Sequence, residues 1–395
     1  MKTMIFVMTM LVFLLVGQLG LHSETIAIPP ENFNEAGVGT QENPYQIGSL
    51  ANLRWLSETR KVWGSEQDAE EHIKNYFIQT ADIDAAETLS WNDGRGFLSI
   101  GRPNPNFLDE EDPDGENRIV AFTSDYDGGG FEIRNLFINN LFIESPLEVN
   151  TGLFGGVDKG NISNVHVRDI YIIESEISGS TGAIVGDLID SSLQNSSATG
   201  IIIKNSMHTG GLVGAAYRSS IEKSYSNVRI SSHRDYEDLQ ETDVIEIYNT
   251  GGLVGSLLSS SLRNSYYIGL NSAKSSFPKY GDLIGQANEA SSTHHCYSIN
   301  GAVYTVYGSI NQWFHWTFPI VRSIDMSTVS LAQMQNQRTF TRKGFDFEKV
   351  WDIEPEINRG FPHFRLVEDE DEIEVVEELI EDIEELIEDL IEDDE

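Results

Sequence analysis

The sequence has little positive charge, a single cysteine and only one long apolar run. Its 395 residues include 26 Lys and Arg against 63 Asp and Glu, which gives a formal net charge of −37. One cysteine excludes an intrachain disulfide and a cysteine-rich metal site. The shortage of basic residues argues against nucleic acid as a partner, because neutralising phosphates requires a cationic surface.

The remaining composition is that of a folded chain with many turns. Hydrophobic residues make up 39% of it, and 19 Phe, 14 Tyr and 6 Trp are spread along its length, so bulk disorder is not expected. The 34 Gly favour tight turns over a helical bundle. The length allows one elongated domain or two compact ones.

Residues 1–23 have the pattern of a secretory signal peptide. Lys2 precedes an apolar run over residues 4–16, and small or polar residues follow up to Ser23. The alternative is a retained membrane anchor, but the run is short for a membrane span. We therefore predict a secreted or cell-surface protein without a transmembrane span after signal removal.

Two short motifs recur together about every 30 residues, with one longer interval. The first is a Thr-Gly-Gly-Leu-Val-Gly type run whose last residue is Gly155, Gly186, Gly214, Gly255 or Gly285. The second follows at a near-constant offset, at 161–165, 192–196, 220–224, 261–265 and 292–296. Two motifs that keep the same offset across five units indicate a repeat architecture.

Each repeat contains short β-branched runs bounded by Gly, Ser and Asn, and no amphipathic helix. This pattern predicts one turn of a β-solenoid per repeat, with equivalent residues stacked about 4.8 Å apart. Leu212, Leu253 and Leu283 should then form an apolar column. Whether the Val after each Leu also faces the core depends on a bend between them, and the sequence leaves both arrangements open.

A second column should form at one position of the second motif, where a bend is expected. Asparagine tolerates the left-handed conformation of such a bend, and stacked amides can form a ladder. Lys223 and His295 interrupt this column. Cys296 aligns with Ser196, Ser224 and Ser265, which favours a small buried residue over a reactive thiol. The predicted ladder consists of Asn164, Asn195 and Asn264.

The repeated motifs resemble the GLUG-motif repeats of secreted bacterial proteins. The resemblance covers about residues 39–366 and implies an all-β fold, a right-handed parallel β-helix of about five to six coils. It also implies an exported, adhesin-like protein of bacterial origin, with no shared catalytic residues. We expect an N-terminal capping segment over 24–121, the repeats over 122–325 and a C-terminal capping segment over 326–367.

The chain ends in an acidic amphipathic segment, residues 368–395, in which every charged residue is Asp or Glu. Its apolar spacing is that of a coiled-coil seam. It could serve as a helix that docks a basic or apolar partner, or as a solvated tail. An insertion at 233–248 predicts a surface loop.

Candidates for chemistry are few. Asp125 and Asp127 would lie on one face of a strand, but glycines follow them, and Asp before Gly is ordinary in turns. Asp109, Asp112 and Asp114 lie in an acidic run that could bind calcium, although it does not match the twelve-residue calcium loop. Apart from that calcium possibility, we expect no cofactor or metal. Neighbouring His294 and His295 should point to opposite faces of a strand and so could not share an ion without a bend.

Aromatic residues after the last repeat offer a possible ligand contact. Tyr304, Tyr307, Trp313 and Trp316 could stack on sugars or close the end of the solenoid core. The sequence thus favours an exported, non-catalytic scaffold that contacts a glycan or a surface protein. The alternatives are a carbohydrate-active β-helix enzyme, which would gather acids and a basic group in one side groove, and an assembly component docked through residues 368–395.

Overall fold

A computed structural model describes most of the repeat region and part of each flank. The described residues are 24–64, 74–101, 121–140, 150–174, 179–204, 206–232, 249–271, 280–298, 305–307, 324–328, 330–354, 358 and 361–364. The predictions for residues 1–23, 233–248 and 368–395, and for Asp109, Asp112, Asp114, Tyr304, Trp313 and Trp316, lie outside them. The chain divides into two compact units, residues 1–330 and 331–395.

The first unit is built from coils of four short strands each. One coil runs through Ser180–Gly182, Val185–Ile189, Ser192–Gln194 and Ser197–Lys204. Each of these strands pairs in parallel with the equivalent strand of the next coil, beginning with Thr181 beside Thr209. The coils therefore generate four stacks of parallel strands, which we name A to D in chain order.

The bounds of the stacks follow the repeat. Stack A contains Ser180–Gly182, His208–Gly210, Asn249–Gly251 and Tyr280–Gly281. Stack B contains Phe154–Asp158, Val185–Ile189, Val213–Tyr217, Val254–Leu258, Ile284–Asn288 and Thr305–Tyr307. Stack C contains Tyr45–Ile47, Tyr76–Gln79, Asp125–Asp127, Asn161–Ser163, Ser192–Gln194, Ser220–Glu222, Ser261–Arg263 and Ser292–Ser298. Stack D contains Ile83–Asp84, Glu132–Arg134, Phe137–Asn139, His166–Ile173, Ser197–Lys204, Tyr225–Ser232 and Tyr266–Tyr267; it joins stack C through Ser292–Ser298, which Ile324–Thr328 also pairs.

This architecture confirms the predicted fold class, an all-β parallel solenoid of about six turns. Leu212 donates its N–H to the carbonyl of Leu253 at 3.0 Å, and Leu253 donates to Leu283 at 2.9 Å. These leucines and Val213 are fully buried. A bend between the paired residues thus turns both Leu and Val into the core, which the sequence had left open.

Serine hydroxyls join the coils at the bend between stacks C and D. The Oγ of Ser224 donates to the carbonyl of Glu222 at 2.9 Å and accepts the N–H of Ser196 at 3.2 Å. Ser265 does the same for Ser224, and Cys296 continues the column as a buried thiol. Each buried hydroxyl therefore satisfies polar groups on two neighbouring coils.

The residue before each of these serines and before Cys296 is left-handed, as is Asn164, which precedes Val165 at the same bend. The φ angles of Asn164, Asn195 and Asn264 are 53°, 47° and 47°, while Lys223 has 49° and His295 has 55°. The Nδ2 of Asn195 donates to the Oδ1 of Asn164 at 3.3 Å. The amide ladder is thus present where asparagines are adjacent, and Lys223 interrupts it.

The N-terminal part of the first unit places a helix beside the first coils. Helix α1, Leu50–Glu58, begins after Ser49, whose Oγ accepts the N–H of Asn52 at 3.2 Å. Leu53 and Leu56 on this helix are buried in the solenoid core. The flanking 3₁₀ segments are Glu31–Asn34, Arg60–Val62 and Ala86–Gly94.

The second unit is small and mixed. It contains helix α2, Leu331–Met334, helix α3, Gln337–Thr341, and an antiparallel strand pair, Trp351–Asp352 with His363–Phe364. The aromatic rings of Phe340 and Phe345 lie 5.1 Å apart, and that of Trp351 lies 5.4 Å from Phe345. These buried rings form the core of the unit.

Candidate functional site

An open groove of about 430 Å³ follows the bend between stacks B and C. Successive coils contribute equivalent residues to it, so the groove runs along the solenoid axis. Its lining is almost entirely polar, with many hydroxyl groups and one ion pair. The lining residues are Asn161, Asp190, Ser191, Ser192, Arg218, Ser219, Ser220, Ser259, Ser260, Ser261, Ala290 and Ser292.

The floor of the groove is a second serine ladder. Ser219 donates its Oγ to the carbonyl of Tyr217 at 2.8 Å and accepts the N–H of Ser191 at 3.0 Å. Ser260 accepts the N–H of Ser219 at 2.9 Å in the same way. Because these hydroxyls are buried and bonded to the backbone, the floor is rigid.

One rim of the groove is a row of partly exposed side chains at the start of each strand in stack C. Asn161, Ser192, Ser220, Ser261 and Ser292 are direct register partners. The Oγ of Ser192 donates to the Oδ1 of Asn161 at 2.8 Å. Among the described residues, the hydroxyls of Ser220, Ser261 and Ser292 form no hydrogen bond to the protein. This row therefore presents open hydroxyls about 4.8 Å apart.

An ion pair lies within the groove. The Nε of Arg218 donates to the Oδ1 of Asp190 at 2.6 Å, and the Nη2 of Arg218 contacts the other carboxylate oxygen. The Arg218 hydrogen bond lowers the pKa of Asp190. The guanidinium carbon of Arg218 also lies 4.1 Å from the ring centroid of Tyr217, which is 41% exposed. The pair is thus locally neutral and bordered by an aromatic ring.

The predicted carboxylate pair lies on the neighbouring strand of stack C, where Asp125 continues the rim row beyond Asn161. Asp125 and Asp127 are both partly exposed, on either side of the buried Tyr126. The Oδ1 of Asp125 lies 2.6 Å from the Nζ of Lys74 and accepts the backbone N–H of Asn161 at 2.7 Å. The Oδ1 of Asp127 accepts the N–H of Gly129 at 2.9 Å, as in a turn. Both carboxylates therefore hold local backbone structure.

A separate charged cluster lies on the outer face of stack D. The Nη2 of Arg134 lies 2.7 Å from the Oδ2 of Asp82, and its Nε lies 2.5 Å from the Oε2 of Glu132. Arg168 lies 3.5 Å from the same Glu132 oxygen. These are the residue types that a glycan-cleaving site would need, but here the acids are ion-paired to arginine on a strand face. Burial lowers the pKa of the adjacent His166 to about 4.

Glu174 is a buried acid that the sequence analysis did not identify. It is 1% exposed and lies at the end of a strand of stack D. Burial raises its pKa to about 7, although hydrogen bonds from Thr151 and Asn140 favour the charged form. The Nδ2 of Asn140 is 3.2 Å from its Oε1. The acid is buried by residues distant in sequence, so no local pattern marks it.

His208 and Ser256 meet at the corner of stacks A and B. The Oγ of Ser256 lies 2.9 Å from the Nδ1 of His208, and the Nδ2 of Asn249 lies 3.0 Å from the same nitrogen. Ser256 is fully buried. A nucleophile must reach its substrate, so this arrangement joins coils and does not form a catalytic serine.

The groove itself was missed by the sequence analysis, which treated the second repeated motif as structural only. The available signal was the polar residue at the first position of each copy of that motif.

Two other predicted residues lie in strands. Of the predicted aromatic contacts, Tyr307 lies at the end of strand Thr305–Tyr307. His295 approaches the Oδ1 of Asn264 at 3.3 Å through its Nδ1.

The described residues also bear on two other kinds of site. No three His, Cys, Asp or Glu side chains within the described part of the chain are arranged to hold a metal ion. No described helix has the length and apolar character needed to cross a membrane.

Comparisons with known proteins give partial likenesses. The chain matches no model of a known protein family. It is 31% identical over 188 residues to halomucin of Haloquadratum walsbyi, a match that covers 47% of this chain and 2% of halomucin. A solved structure from Bacteroides ovatus, described as "a putative immunoglobulin A1 protease", is similar with a TM-score of 0.49 and 16% identity. That match covers 83% of this chain and 94% of the other.

Proposed function

We propose that this protein is an exported, non-catalytic β-solenoid that acts at the cell surface or outside the cell by contacting a glycan. The groove between stacks B and C carries the proposal. Its open hydroxyls, together with the Asp190–Arg218 pair, are the groups with which proteins commonly hydrogen-bond to sugars. A surface protein as partner would favour an apolar centre in the contact area, whereas this groove is polar.

Export is supported by the signal-peptide pattern of residues 1–23 and by the partial likeness to halomucin, a protein named as a mucin. We also propose that the chain is related to the GLUG-motif proteins, on the basis of the motifs ending at Gly214 and Gly255. The absence of catalysis is part of the proposal. It is supported by the ion-paired acids of stack D and by the backbone contacts of Asp125 and Asp127.

Two measurements test this function. The first expresses the chain in a bacterial host with and without residues 1–23 and locates it by cell fractionation. We expect export only when the segment is present; equal export of both forms would contradict a signal peptide.

The second measurement screens the purified protein on a glycan array and, in parallel, assays the bound glycans for newly released reducing ends. We expect binding without release. Release of new sugar ends would show an enzyme, and the absence of binding to any glycan would contradict the proposed partner class.

A further inference from the structure

Building on the proposed function, we propose that the groove binds an extended, neutral, β-1,4-linked polysaccharide whose chain lies parallel to the solenoid axis. The proposal names the ligand class and its direction. It depends on the juxtaposition of the open hydroxyl row, the rigid serine floor and the Asp190–Arg218 pair along one bend of successive coils.

The direction follows from the repeat of the hydroxyl row. Register pairing places Ser192, Ser220, Ser261 and Ser292 on consecutive rungs, that is, on adjacent strands of stack C. Each rung advances by about 4.8 Å, so the row from Asn161 to Ser292 extends over about 19 Å. An extended β-1,4-linked pyranose chain advances by nearly the same distance per sugar. Each sugar would therefore lie opposite one rung, and equivalent groups of the ligand would face the row at every second rung, because neighbouring sugars in such a chain are turned over. A ligand lying across the coils would have no such match.

The neutral character follows from the charges around the groove. Arg218 is the cation of the groove lining, and Asp190 already neutralises it. The whole chain carries a net charge of −37, which repels polyanions. Lys159 also lies near the carboxylate of Asp190. A polysaccharide rich in uronic acids or sulfates would still be repelled by the net charge of the chain and would find Arg218 already paired.

The rigid floor of the groove favours binding of a polysaccharide, and a tyrosine ring supports the groove arginine. Ser191, Ser219 and Ser260 are fixed by backbone hydrogen bonds, so binding would order few protein groups. The rim hydroxyls of Ser220 and Ser261 are open to a ligand. Tyr217 is 41% exposed, and its ring stacks against the guanidinium of Arg218, which holds that groove-lining cation in place.

The experiment titrates the full chain with β-1,4-linked oligomers of glucose, mannose and N-acetylglucosamine, two to six sugars long, by calorimetry. We expect at least one series to bind. Its affinity should rise about tenfold or more between two and four sugars and little beyond five, because the row extends over about 19 Å. Affinity that does not depend on length would contradict an axial ligand.

A matched pair of variants locates the binding. Ser220→Tyr places a ring on the rim, and Tyr76 shows that this row accepts such a side chain. Glu222→Tyr introduces the same ring two residues later on the same strand, outside the groove lining. We expect Ser220→Tyr to lower the affinity at least about tenfold and Glu222→Tyr to leave it unchanged, while both variants keep the thermal unfolding curve of the parent.

The outcomes separate this inference from the proposed function. Equal affinities of the two variants for an array-positive glycan would overturn the groove assignment while leaving glycan binding in place. In a parallel titration with β-1,4-linked mannuronate oligomers, binding of these alone, with a strong salt dependence, would overturn the neutral class. Failure to bind any glycan on the array would overturn both proposals.

Discussion

At the bend before each buried serine of stacks C and D, one residue adopts a left-handed backbone, and its side chain decides how neighbouring coils are joined. Asn195 donates to Asn164, but its own Oδ1 is buried and accepts no hydrogen bond within the described residues. Lys223 occupies the next position of the column. The sequence allowed the ladder and its interruption to be predicted, because asparagine at a fixed repeat position indicates such a bend.

Replacing Lys223 with asparagine should complete the ladder. The new amide can donate to the Oδ1 of Asn195 and accept from Asn264, so we expect the free energy of unfolding to rise by about 1 kcal/mol. Chemical denaturation measures this change in the free energy of unfolding. Lys223→Ala, which removes the same charge without adding an amide, should bring no gain, and equal stability of the two variants would contradict the ladder.

Burial of Glu174 makes the free energy of unfolding depend on pH. Its folded-state pKa of about 7 lies above that of an unfolded glutamate, so the folded state holds the proton more tightly. Stability from this group is therefore present at low pH and is lost as the pH rises from about 4.5 through 7. No local motif predicts this, because Thr151 and Asn140 reach Glu174 only through the coil geometry.

Glu174→Gln should remove this dependence. Between about pH 5 and pH 8 we expect the parent to lose about 2 kcal/mol relative to the variant. The measured quantity is the difference in unfolding free energy between the two proteins at each pH, which cancels the opposite contribution of His166. A difference that stays constant across this range would show that Glu174 titrates normally.

At the scale of a single coil, glycines set how closely strands and bends approach. Their spacing allowed the parallel stacks to be predicted, since the Gly-Gly-Leu-Val-Gly unit recurs with the coil. The bend that buries both Leu212 and Val213 was beyond sequence reasoning, because alternation and bending predict different faces. The groove was also missed, since its serines are ordinary turn residues when each repeat is read alone.

Two adjacent glycines provide a controlled test at this scale. A Cβ on Gly155 would lie 2.6 Å from the carbonyl oxygen of Gly101 and 2.7 Å from that of Asn150, whereas on Gly156 the nearest contact is 3.5 Å. We expect Gly155→Ala to destabilise the fold by about 2 kcal/mol or more through overpacking and Gly156→Ala to cost less than about 1 kcal/mol. Equal losses in thermal unfolding would contradict the tight packing at Gly155.

The first unit is a stack of coils, and the chain as a whole carries a large excess of negative charge. The coil architecture was predictable because two motifs repeat at a constant offset, whereas the serine-lined groove follows from the stacking of coils in register. A net charge of −37 also makes the compact state repel itself.

Salt should therefore stabilise the fold. We expect the midpoint of thermal unfolding to rise between about 0.05 M and 1 M NaCl, because the screening length falls from more than 10 Å to about 3 Å. KCl at the same ionic strength should give the same shift. A midpoint that falls with salt would show that ion pairs such as Arg134–Glu132 outweigh the self-repulsion.

The central claim is that repeats separated by about 30 residues lie on adjacent rungs, and pulsed electron spin resonance tests it most directly. Cys296 is first replaced by serine, which its column already contains. One spin label is placed at Ile78 and a second at Glu222, Arg263 or His294, all in one register row. We predict distances of about 19, 24 and 29 Å, equal steps of about 4.8 Å per rung. Steps that grow with the longer chain segment between Glu222 and Arg263 would contradict the stacked solenoid.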